Sequence, residues 1–71
     1  MWINGVIGSF YFEAKVFDEP SRFGISNGRI SKLVIRDKNR KICCQYDRGW
    51  VEKPSDDAVK EAVLKVLDIY K

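Results

Sequence analysis

A chain of 71 residues, 45% apolar and 32% charged, is one folded domain; this excludes a multidomain enzyme and a disordered chain. Its small size means that it must pack tightly or share a surface with a second copy or a partner. The net charge of +3 permits an anionic ligand without requiring one, and no apolar run is long enough to span a bilayer, so no membrane partner is expected.

In chain order, residues 2–7 read as a short strand. Its glycines, Gly5 and Gly8, favour a bend and a reversal near Gly8, and the segment lacks the basic start of a signal peptide. Residues 9–17 alternate: Phe10, Phe12, Ala14 and Val16 share one face, while Tyr11, Glu13, Lys15 and Phe17 share the other. A half-buried strand has this period. Residues 18–27 are a loop, with turn chemistry at Asp18, Pro20 and Ser21 and a strong turn dipeptide at Asn27–Gly28. Residues 29–36 form the next strand, with Ser31, Leu33 and Ile35 on one face and Ile30, Lys32, Val34 and Arg36 on the other. A polar turn at residues 37–40 leads to a partner strand at 41–46, after which residues 47–50 leave the sheet. The last element is a helix over residues 55–70. Ser55 is the expected N-cap, and Val59, Ala62, Val63, Val66, Leu67 and Tyr70 make one apolar stripe.

The fold class is therefore α+β: a three- or four-stranded antiparallel sheet in a single domain, with one C-terminal helix packed on one face. Phe10, Phe12, Val16, Leu33, Ile35, Ile42 and Cys44 are expected to meet Val59, Val63, Val66 and Leu67.

Catalysis finds little support. The chain has no histidine, so the usual general base and the paired Ser/His and Cys/His nucleophiles are missing. Glu13, Asp18, Glu19, Asp37 and Asp47 show no metal-binding spacing and read as solvated loop charges. No phosphate-loop motif is present. Cys43 and Cys44 are adjacent, diverge in a strand and read as reduced thiols of a cytosolic protein. The reading is of a non-enzyme that needs no cofactor.

Two surfaces remain as candidates. On the sheet face opposite the helix, Tyr11, Lys15, Phe17, Lys32 and Arg36 interleave aromatic rings with cations, as single-stranded nucleic acid binding requires. The same face would also serve as the interface of a homodimer. The second surface is the 18–29 loop with Trp50. There Arg22, Phe23, Arg29, Arg48 and Trp50 supply the residue types that anchor protein–protein contacts. This surface suits a protein-binding accessory, such as an inhibitor of a host defence or regulatory protein.

The runs Phe-Glu-Ala-Lys-Val-Phe-Asp-Glu-Pro-Ser-Arg-Phe-Gly-Ile (12–25), Asn-Gly-Arg-Ile-Ser-Lys-Leu (27–33) and Tyr-Asp-Arg-Gly-Trp (46–50) carry a resemblance. Over about residues 2–54 the chain resembles an uncharacterised family of short proteins from bacterial phages and integrated mobile elements. The resemblance implies a setting, the bacterial cytoplasm, and no mechanism or site residues. The order of sheet then helix is similar to that of small domains, like transcription cofactors, that bind single-stranded DNA, a likeness of fold alone.

Overall fold

Five strands, β1 (Trp2–Ile7), β2 (Phe10–Val16), β3 (Ile30–Arg36), β4 (Ile42–Asp47) and β5 (Trp50–Glu52), make one sheet in sequence order. Every neighbouring pair is antiparallel. The structure is a computed structural model that describes residues 1–71. Gly8, at φ +60°, reverses the chain between Ile7 and its partner Phe10. A glycine at the first central position is what a two-residue hairpin of this kind favours.

The sheet has five strands where three or four were expected. Residues 47–50 do not leave the sheet: Arg48 takes φ +59°, the Asp47 amide donates to the Gly49 carbonyl (2.8 Å), and Trp50 lands opposite Tyr46. A three-residue strand entered through a left-handed arginine carries almost no periodicity, so alternation cannot reveal it.

Helix α1 (Asp57–Ile69) lies on one face of the sheet and buries Val59, Ala62, Val63 and Val66. Its N-cap is Asp56, not Ser55: the carboxylate accepts from the Ala58 amide at 2.7 Å. Asp57 adds negative charge in the first turn, where the helix dipole favours it. The core beneath the helix contains Phe12, Ala14, Val16, Leu33, Ile35, Cys44 and Tyr46, with Ile25 contributed by the loop. The Phe12 ring meets the Tyr70 ring at 6.5 Å between centroids.

Two register shifts overturn expected orientations. Lys15 pairs with Lys32 but Val16 pairs with Ile30, so Ser31 is the extra residue of a bulge. Ile30, expected on the face away from the helix, is buried in the core as a result. A second shift pairs Ile35 with Cys44 but Arg36 with Ile42. Ile42, expected to meet the helix, is instead exposed opposite outward-facing Arg36. Strict period-2 counting fails past a bulge because one inserted residue reverses every later side chain.

Candidate functional site

No element of the chain covers the face of the sheet opposite α1. Strand register arranges its side chains in three rows. One runs Trp2, Lys15, Lys32, Asp47; the next Asn4, Glu13, Val34, Gln45, Glu52; the third Val6, Tyr11, Arg36, Ile42. Trp2, Val6 and Tyr11 are 59%, 64% and 49% exposed, and Phe17 stands exposed just past the end of β2.

The cations of this face have partners. Arg36 Nη1 donates to Glu13 Oε1 at 2.5 Å, and Lys32 Nζ lies 3.8 Å from Asp47 Oδ1. The four side chains of these two pairs are partly open to water, so the pairs are weak and can exchange for other ions. Lys15 sits over the Phe17 ring, 5.5 Å from its centroid. The structure thus brings Tyr11, Lys15, Phe17, Lys32 and Arg36 onto one surface. It adds Glu13 and Asp47 among them, making the face a charge mosaic and not a uniformly basic patch.

A depression of about 650 Å³ opens on this face, lined by Asn4, Val6, Tyr11, Glu13, Arg36, Lys38 and Arg40 among others. The 37–40 turn forms its basic rim. Asp37 Oδ1 accepts from the amides of Asn39 (2.8 Å) and Lys41 (3.0 Å), and Arg40 adopts φ +66°. Sequence reasoning did not single out Trp2, Asn4, Val6 or Lys38 for this face. The alternation of Trp2, Asn4 and Val6 along the first strand was the available signal.

The loop surface is built differently. Tyr46 Oη donates to the Phe23 carbonyl at 2.9 Å, and the Trp50 ring packs edge-on against Tyr46 at 5.1 Å. The loop and the Tyr46–Trp50 segment therefore meet, and the Arg22 guanidinium stacks 5.1 Å from the Phe23 ring centroid. Arg29 ties distant parts of the chain together. Its Nε donates to the Phe17 carbonyl at 2.8 Å and its Nη1 to the Lys71 carbonyl at 3.3 Å. The Arg48 amide is bound to the Ser31 carbonyl. Asp47 pairs with Lys32, not with an arginine of the loop.

Close backbone approach shapes this loop. A Cβ added to Gly24 would lie 2.1 Å from the Gly28 carbonyl oxygen, so only glycine fits. Ile25, buried in the core, anchors the tight turn Ile25–Asn27, in which Ser26 (φ +53°) and Asn27 (φ +58°) are left-handed. The loop is thereby a packed unit and not a loose connector.

Cys43 and Cys44 are both free thiols, one half-buried and one buried. Burial pushes the Cys44 thiol up to about 11. Burial also raises Cys43, helped by the Asp37 carboxylate. Neither thiol is activated as a nucleophile. No group of three or more acidic or cysteine side chains gathers where a metal ion could be held. No helix is long and apolar enough to cross a membrane.

The chain matches, over residues 1–71, a family described as a domain of unknown function (DUF7678), and it belongs to that family. No curated protein and no solved structure matches it.

Proposed function

We propose that this protein is a non-enzymatic binding module whose open sheet face takes single-stranded nucleic acid. The observation that carries the reading is the uncovered face itself, where exposed Trp2, Tyr11 and Phe17 stand among Lys15, Lys32 and Arg36. Rings offer stacking surface to bases, and the cations that share their cross-strand rows, Lys15 and Lys32 beside Trp2 and Arg36 beside Tyr11, reach phosphates. Lys38 and Arg40, at the rim of the depression beside Tyr11, extend the path for a backbone. The exposed ion pairs must open as phosphates replace carboxylates, which is inexpensive at such sites. The setting we assign is the bacterial cytoplasm, with a phage or mobile-element origin.

Fluorescence anisotropy with a short labelled oligonucleotide, titrated over salt, tests this. Tyr11→Ala is expected to weaken binding by roughly 5- to 150-fold, the loss of one stacked base. Lys15→Ala with Lys32→Ala is expected to reduce the salt slope by about 1.4, two phosphate contacts on a single strand. Absence of binding at low salt ends the reading.

One observation favours a second reading, a protein-binding accessory of host proteins. Arg22 stacked on exposed Phe23, on the packed loop that meets Tyr46 and Trp50, makes an aromatic–arginine surface. Recovery of the same host proteins by wild type and by Arg22→Ala/Trp50→Ala would remove that site from consideration.

A further inference from the structure

The two edges of the sheet are unlike. β5 is three residues long and runs straight into Glu52, Lys53 and Pro54. Short length, charge and proline are the usual protections of an edge. β1 has none of them: it is six residues long, Trp-Ile-Asn-Gly-Val-Ile, with no charge and no proline.

Hydrogen-bond phase shows which groups β1 leaves free. Met1 and Val16 exchange both bonds: the Met1 amine donates to the Val16 carbonyl and the Val16 amide to the Met1 carbonyl. Antiparallel pairs alternate between bonded and non-bonded. Ile3, Gly5 and Ile7 therefore bond to β2, while the amides and carbonyls of Trp2, Asn4 and Val6 point away from the sheet. No strand lies beyond β1 to receive them.

We propose that two copies of this chain pair through these edges, β1 antiparallel to β1, with Asn4 on the twofold axis. In that register Trp2 faces the partner's Val6, Asn4 faces the partner's Asn4, and Val6 faces the partner's Trp2. All three are bonded pairs, so six backbone hydrogen bonds form between groups that are otherwise unpaired. A shift by two residues either way keeps the phase but loses pairs, and a shift by one sets free groups against occupied ones.

The side chains agree with this register. On the open face exposed Trp2 packs across the strands against the partner's exposed Val6, an aromatic–β-branched pair. On the helix face half-buried Ile3 falls opposite the partner's Gly5, which presents no side chain. A Cβ on Gly5 would lie 3.0 Å from the Phe12 ring, so a side chain there would crowd that ring. The uncharged edge brings no like charges together, and the isologous contact closes, leaving only the protected β5 edges exposed. A second copy fits this edge because the chain supplies both halves of the match.

The pairing also makes one continuous open face of ten strands. The partner's Trp2 joins the row Val6, Tyr11, Arg36 and becomes a wall of the depression that Val6 and Tyr11 line. With strands about 4.8 Å apart, it stands about 10 Å from Tyr11. The pairing stands whether or not that face binds nucleic acid.

Sedimentation equilibrium of the full chain over a concentration series tests this, with circular dichroism to follow folding. Wild type is expected to shift from one to two chains with rising concentration. Asn4→Pro removes an amide that β1 does not use within its own chain, so the fold should survive. Its loss of two of the six intermolecular bonds should raise the dissociation constant about tenfold or more. Val6→Lys, on the exposed side of the edge, should weaken the dimer as well. It decides the matter if the proline variant does not fold. Asn4→Cys in a Cys43→Ser background should form an intermolecular disulfide when the two thiols are oxidised with diamide, which takes up the two electrons and two protons. Ser9→Cys in the same background should not. A wild type that stays monomeric throughout, or a dimer unchanged in both Asn4→Pro and Val6→Lys, overturns the proposal.

Discussion

The two faces of this sheet are made by the same strands, residue by residue in alternation, and serve opposite ends. Leu33 and Ile35 are fully buried under α1, while Lys32, Val34 and Arg36, which alternate with them, look outward. The inner face is apolar apart from the buried Ser31 hydroxyl, and removing it from water drives folding. The outer face carries aromatics and paired charges with no covering layer, and its side chains contribute little to stability. The difference teaches that the partly exposed rings of Trp2, Tyr11 and Phe17 lie outside the buried core.

The largest expected break in this contrast is at Leu33. Leu33→Ala, at a site of 0% exposure between β2 and β4, should cost about 2–5 kcal/mol in denaturant unfolding. In a domain of 71 residues that is a large part of the total.

The adjacent cysteines provide an intermediate test. Under native conditions at mildly alkaline pH an alkylating reagent should modify half-buried Cys43 and spare Cys44 until the chain unfolds. Burial holds Cys44 near 11, above the 9.0 of a free thiol. Its folded pKa is raised, so the stability it contributes is fully present below pH 9 and is lost as pH rises from 9 to about 11. The loss is on the order of 2 kcal/mol. Wild type should therefore lose more stability across that window than Cys44→Ala, as measured by urea midpoints.

The smallest effect belongs to the outer face. Glu13→Gln removes the charge of the ion pair with Arg36, yet thermal unfolding should change by less than about 1 kcal/mol, since both side chains are partly solvated. The same substitution removes the carboxylate beside Arg36 and should tighten oligonucleotide binding. A large loss of stability here would mean that the open face is a structural layer after all.

Much of the fold was legible in residue order. Alternation in residues 10–16 and the stripe from Val59 to Tyr70 are strong periodic signals, and they determine a sheet with one helix across it. The two adjacent cysteines are free thiols, as read, but Cys43 is the extra residue of the second bulge and packs against the core beside buried Cys44, so alternation does not set its orientation. The candidate site was legible in part: Tyr11, Lys15, Lys32 and Arg36 follow from alternation alone and do share a surface.

Other features depended on long-range pairing. Bulges at Ser31 and near Ile42 reversed the side chains beyond them, sending Ile30 inward and Ile42 outward. Left-handed Arg48 made the turn into β5, which no periodic pattern marks. The carboxylates that meet Lys32 and Arg36 come from neighbouring strands, so only the register reveals them. Arg29, read as a contact residue, is held by the carbonyls of Phe17 and Lys71, the latter 42 residues away. By itself, then, the sequence determined the elements, their faces and the residue types on offer, because local periodicity and capping are short-range effects. Tertiary structure alone decided the bulges, the fifth strand, the charge pairing and the unprotected β1 edge, because each depends on which distant strand lies alongside and in what register.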